Sequence, residues 1–173
     1  MSSLERIWAG WRSAYIEGVT GQPGRPGGCV FCGILASGLP DEETHVLWRH
    51  PEDSAVAILN AYPYGSGHLM VMPTRHTASP EDLSAAESAA LWQGITEAVA
   101  ALRSAYRPDG LNLGANLGRA AGAGIPDHFH MHALPRWSGD TNFMTSVAEA
   151  RVLPEPLSAS WEKITGAWPR RPA

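Results

Sequence analysis

The chain has 173 residues and a mass of 18.5 kDa, enough for one domain with a sizeable core and too little for two comfortable ones. Hydrophobic residues make up 44% and charged residues 17%, which excludes a wholly disordered chain. A net charge of -4 supplies no global positive field for duplex nucleic acid, although a small anion needs only a local site.

No uncharged apolar run approaches the roughly 20 residues that span a bilayer. Residues 1 to 12 carry Glu5, Arg6, Trp8, Trp11 and Arg12 in place of a basic head and an apolar stretch. A cytoplasmic protein with neither a membrane nor a nucleic-acid partner is expected.

In chain order, residues 1–28 read as an arm and linker. Trp8, Trp11 and Tyr15 can share one helical face, and the stretch from Gly18 to Gly28 is too rich in Gly and Pro for regular structure. The two cysteines, Cys29 and Cys32, follow as a C-x-x-C pair, which in a reducing compartment is more often a metal or redox element than a structural disulfide. Such a pair needs partners elsewhere in the chain.

Between Thr44 and Pro73 three apolar runs, HVLWRH, SAVAILN and HLMVMP, are separated by turns and predict three antiparallel strands. A long helix is expected from Ser79 or Asp82 to Tyr106, with Leu83, Ala86, Ala90, Leu91, Ile95, Ala98 and Leu102 near helical spacing. Two more strands follow, Gly110 to Asn116 and His128 to Leu134, around a glycine-rich loop. A short helix from Ser158 to Trp168 lies in the tail. The layout is α+β, an antiparallel sheet of about five strands packed with one long helix, with N- and C-terminal extensions. The expected division is an arm at 1–28, one domain at 29–145 and an extension at 146–173 packed on the same domain.

The densest chemistry is His128-Phe129-His130-Met131-His132, three histidines in strict alternation. On a strand, alternation puts all three imidazoles on one face and sends Phe129, Met131 and Ala133 into the core behind it. Such a row can attack phosphorus, exchange protons or hold a metal. The loop before it, Asn116 to Ile125, has small residues that let backbone N–H groups approach an anion, and Arg119 offers a charge. Together they suggest a phosphate seat beside a nucleophile.

These features resemble the histidine triad family of nucleotide hydrolases and transferases. Cys29 to Cys32 is similar to that family's N-terminal cysteine motif, and Asn60 to His76 (NAYPYGSGHLMVMPTRH) resembles its central hairpin. Arg6 to Tyr15 and Pro135 to Met144 are similar to the bacterial branch described as diadenosine tetraphosphate phosphorylase-like or ATP adenylyltransferase-like. The fold implied is HIT-like.

The resemblance implies that His130 attacks the α-phosphorus and is transiently nucleotidylated, its other ring nitrogen held by a backbone carbonyl. It implies that His132 contacts the phosphate and assists the leaving group, with Gly122, Gly124 and Ile125 around the phosphate. Asn60 falls where the family contacts ribose, with Ile58 and Leu59 near the base, and Asn116 near the phosphate; Trp137 and Phe143 would line the distal half of the nucleotide. The family's Gln-Ser or Gln-Thr before the triad is replaced by Ala-Gly-Ile-Pro-Asp.

Cys29, Cys32, His76 and His128 are the implied ligands of a structural zinc, a set suited to tetrahedral coordination. His68 would help to position the hairpin. The implied substrate is a purine nucleotide or dinucleoside polyphosphate such as diadenosine tetraphosphate, with inorganic phosphate favoured over water as acceptor, in a homodimer or larger homo-oligomer. A nucleoside phosphoramidate hydrolase and a zinc-stabilised nucleotide-binding module without turnover are the alternatives.

Overall fold

A computed structural model describes residues 28–140 and 155–170 of the chain. The Trp8, Trp11 and Tyr15 face, most of the Gly/Pro linker, and Phe143 lie outside the described residues.

Nine elements follow in order: α1 (Val30–Leu35), α2 (Asp41–Thr44), β1 (Val46–Arg49), β2 (Ala55–Leu59), β3 (Leu69–Pro73), α3 (Ala85–Tyr106), β4 (Gly110–Gly114), β5 (Met131–Arg136) and α4 (Leu157–Ala167). Short 3-10 turns at Pro80–Asp82 and Arg119–Ala121 complete the described elements. The five strands form one antiparallel sheet in the order β1-β2-β3-β5-β4. The α+β architecture expected from the sequence is the one observed.

The long helix begins later than its apolar spacing predicts. Pro80 starts a separate 3-10 turn, and Ser84 caps α3 through a capping box. Its hydroxyl accepts from the Glu87 N–H at 3.2 Å, and the Glu87 carboxylate accepts from the Ser84 N–H at 2.8 Å. The helix ends where Arg107 turns left-handed ahead of Pro108. Its buried stripe, including Leu91, Ile95, Ala98 and Leu102, covers one sheet face with Leu59, Leu69, Val71 and Ala133. Gly94 permits that approach: a Cβ there would lie 2.8 Å from both Trp48 and Val71.

On the opposite face Phe31 and Ile34 of α1 cover Val46, Val56, Ile58, Met70 and Met72. The sequence reading contained no α1, yet this short helix carries Cys32 and closes the second layer over the sheet's site face. The tail helix α4 docks beside α3, where Trp161 donates to the Val46 carbonyl at 2.8 Å and Trp168 to the Glu97 carboxylate at 3.0 Å.

Two strand boundaries differ from the expectation. β4 ends at Gly114 rather than Asn116, and β5 runs from Met131 to Arg136 rather than from His128 to Leu134. The β3–β5 ladder pairs only Leu69–Val71 with Ala133–Met131, and β3 closes on Pro73, which has no N–H to extend it. His128 and His130 therefore precede the strand outside its ladder, with the intervening Phe129 N–H donated to the Thr77 carbonyl at 2.6 Å.

Candidate functional site

Alternation survives the shorter ladder. Phe129 and Ala133 enter the core beneath α3, while Phe31 on the other face meets the rings of His128 and His130 edge-on, at centroid distances of 5.4 and 5.1 Å. The His130 and His132 rings are 5.0 Å apart, and the His132 and His68 rings 5.0 Å apart. His130, His132 and His68 make one continuous row, and the Phe31 ring joins His128 to it.

The hydrogen-bond partners assign the tautomers. His128 Nε2–H donates to the Pro73 carbonyl at 2.9 Å, which leaves an Nδ1 lone pair turned to Cys29 Sγ at 3.4 Å and Cys32 Sγ at 3.6 Å. His130 has the reverse arrangement. Its Nδ1–H donates to the His128 carbonyl at 2.8 Å, so Nε2 carries the lone pair. Burial lowers the pKa of both rings against the effect of their carbonyl partners, which keeps them neutral.

His132 is fixed through His68. The Tyr64 N–H donates to His68 Nδ1 at 3.0 Å, so neutral His68 bears its proton on Nε2 and gives it to His132 Nδ1 at 3.0 Å. Asn60 Nδ2 also lies 3.4 Å from His68 Nε2, but an N–H facing an N–H is a contact rather than a bond. The result is a His132 with its proton on Nε2, a donor. Burial, reinforced by neighbouring imidazoles, pushes His68 down to about 3 and His132 down to about 4.

The residues expected around a nucleotide separate. Ile58 lies on the face of the row, with Phe31 and Met70, whereas Leu59 points into the core under α3. Asn60 is buried, and its Oδ1 accepts from the Tyr62 N–H at 2.8 Å, closing the turn into the hairpin. Asn116 is half-buried in the loop after β4. The Gly122 N–H is bound to the Arg119 carbonyl at 3.0 Å, whereas Gly124 and Ile125 make no backbone bond to another described residue; Ile125 packs beside Phe31. Trp137 meets Tyr106 edge-on at 6.1 Å.

Cys29, Cys32, His76 and His128 form a single cluster, with one donor atom from each within 4.8 Å of all the others. His76 Nδ1 lies 3.4 Å from Cys32 Sγ, and the two cysteines are unbridged. Donors held about 2.0–2.3 Å from one tetrahedral ion stand roughly 3.3–3.8 Å from each other, so the measured S···N separations fit the edges of that tetrahedron. The bond from His128 Nε2–H to a carbonyl is the outer support that metal-binding imidazoles use. The cluster is a candidate metal centre.

The backbone carbonyl expected behind the second ring nitrogen of His130 is that of His128; the Pro73 carbonyl and the Tyr64 amide escaped the sequence reading because backbone groups carry no residue signature. His68 was visible as part of the hairpin; its bond to His132 was not.

An antiparallel sheet bearing a row of neutral imidazoles beside a candidate metal centre with two cysteines points to the class of protein. The model of the HIT domain family matches residues 42–139. The AP-4-A phosphorylase of Mycobacterium tuberculosis (strain ATCC 25618 / H37Rv) is 36% identical over 98% of this chain and 87% of its own length. Among solved structures, a histidine triad nucleotide-binding protein from Sulfolobus tokodaii strain7 is 27% identical with a TM-score of 0.65, covering 80% of this chain and 91% of that one. A Zn-bound histidine triad family protein from Mycobacterium smegmatis is 28% identical with a TM-score of 0.64 and the same coverages. The chain belongs to the histidine triad, or HIT domain, family.

No helix among the described residues is long and apolar enough to cross a membrane.

Proposed function

We propose that this protein cleaves dinucleoside polyphosphates of the diadenosine tetraphosphate kind at the α-phosphorus, through a His130-nucleotidyl intermediate resolved by inorganic phosphate. The observation that carries the reading is the bond from His130 Nδ1–H to the His128 carbonyl, which leaves the lone pair of a neutral imidazole on Nε2. Similarity to the mycobacterial AP-4-A phosphorylase over nearly the whole chain supports the substrate class and the acceptor.

In the first half-reaction Nε2 of His130 attacks the α-phosphorus and the bond to the bridging oxygen breaks. That oxygen leaves with its electron pair as a phosphate anion, which accepts a hydrogen bond from the Nε2–H of neutral His132. In the second, an ionised oxygen of hydrogen phosphate attacks the same phosphorus, the phosphorus–nitrogen bond breaks with its electron pair returning to His130 Nε2, and the phosphate proton stays with the ADP product. Diadenosine tetraphosphate gives ATP and then ADP. Ile58 backs the purine, Asn60 and the Tyr62 turn shape the wall near the ribose, and Asn116, Gly122, Gly124 and Ile125 frame the phosphates, with Arg119 as a nearby charge; Leu59, on the α3 side of the sheet, is not part of this wall.

The four-residue cluster holds zinc in this reading. A closed site of two thiolates and two imidazoles supplies structural cross-linking and no chemistry at phosphorus. Cys29 and Cys32 come from the start of α1, His76 from the loop after β3 and His128 from the lead into β5, so the ion ties three segments together. The exposed outer strand β4, with Leu113 and the following Leu117 about half exposed, is the edge across which two copies pair in a homodimer.

The test is to incubate the metal-replete protein with diadenosine tetraphosphate, with and without inorganic phosphate, and to separate the products. ADP plus ATP formed only with phosphate is expected. AMP plus ATP without phosphate would make the protein a hydrolase, and no turnover and no nucleotidyl-labelled protein would leave a binding module.

A further inference from the structure

His76 is the exposed member of the metal cluster and stands in the loop between β3 and the 3-10 turn at Pro80. A ligand on an exposed loop has more conformational freedom to lose on binding than one on a helix or a buried strand. This loop is fastened on both sides of the histidine.

On one side Arg75 forms a two-pronged bond with Glu87, Nε to Oε1 at 2.7 Å and Nη2 to Oε2 at 3.0 Å, and Nη2 also donates to the Asp82 carbonyl at 2.8 Å. On the other side the carbonyl of buried Thr77 receives the Phe129 N–H, one residue from His128. Thr74, two residues before His76, donates its hydroxyl to the Asp53 carbonyl. Glu87 is no loose partner, since the same carboxylate closes the capping box of α3. Arg75 thus connects the ligand loop to the capped first turn of the longest helix.

The Arg75 side chain is 51% exposed, and an ion pair at such exposure contributes little to global stability. Its geometry is nevertheless bidentate, which fixes direction as well as distance. We propose that Arg75 is a positioning residue for the metal centre: its fork onto Glu87 and Asp82 holds His76 at ligating distance from Cys32, so that metal affinity depends on it more than fold stability does. The inference rests on the reading of the cluster as a zinc site and is independent of the nucleotide chemistry.

The experiment uses the full chain, titrated with zinc against a chromophoric chelator and with cobalt monitored by its thiolate charge-transfer and d–d bands. Arg75→Met, which keeps the apolar stem, is expected to weaken zinc binding about 10-fold and to speed zinc release, the range seen for outer-shell supports. Arg75→Lys should recover part of the loss. Glu87→Gln, which can still cap the helix, should reproduce Arg75→Met. The thermal midpoint of the metal-free protein should stay within about 2 °C of the wild type in each case. Unchanged zinc affinity in Arg75→Met and Glu87→Gln overturns the proposal, as does a loss of metal-free stability that accounts for the whole effect. A wild type that binds neither zinc nor cobalt defeats the zinc reading itself.

Discussion

His128 and His130 are two residues apart, touch the same phenyl ring, and hold opposite tautomers. His128 gives its Nε2 proton to the Pro73 carbonyl and turns Nδ1 toward two sulfurs; His130 gives its Nδ1 proton to the His128 carbonyl and keeps Nε2 unprotonated. Identical side chains on one face become a candidate ligand and a candidate nucleophile according to which backbone oxygen lies within reach. The role of an imidazole in a row is decided by its acceptor.

The largest expected effect separates the two histidines. His130→Ala removes the attacking nitrogen and should cut turnover at least ~10³-fold while nucleotide binding persists. His128→Ala keeps the backbone carbonyl that orients His130, so nucleotidyl labelling should survive. Its costs should be zinc binding and about 2–4 kcal/mol of stability from an emptied buried site. Mass-spectrometric detection of the labelled protein checks both, and labelling lost equally in the two variants would break the distinction.

A smaller effect is expected at His68, which acts through His132. His68→Gln should slow the reaction about 10–100-fold for substrates with poor leaving groups and much less for good ones, because the lost function is a correctly placed proton. Equal slowing across a series of nucleotides graded by leaving-group acidity would remove His68 from proton placement.

The smallest effect is on stability against pH. Burial lowers His68 to about 3 and His132 to about 4, against about 6.5 in an unfolded chain. Between those limits the unfolded state takes up protons that the folded state refuses. The contribution is therefore complete above about pH 6.5 and is lost as pH falls toward 4. Denaturant titrations of the metal-free protein from pH 7 to 4.5 should show this slope, shallower in His68→Gln. An equal slope in that variant would place the titration elsewhere.

The sheet was legible in the sequence because apolar runs of four to six residues are separated by Gly, Pro and Asn turns. The order of its strands was not read from the sequence, because the pairing of β3 with β5 joins segments far apart along the chain. The row was legible from strict alternation. The end of the ladder at Met131 was not, because it depends on Pro73 lying opposite, a tertiary fact about another strand. Helix α1 was missed because six residues, VFCGIL, are too few to show a helical period; what stabilises them is burial of Phe31 and Ile34 against the sheet. Asn60 illustrates a residue whose type was readable and whose partners were not: its carbonyl oxygen is taken up by the Tyr62 amide inside the turn.

Phe31 lies between Cys29 and Cys32 in sequence and presents its ring to His128 and to His130 in space. One side chain therefore belongs to two neighbourhoods with separate duties, and no substitution there can be judged against either alone. A substitution at Phe31 is therefore expected to disturb the candidate metal centre and the imidazole row together.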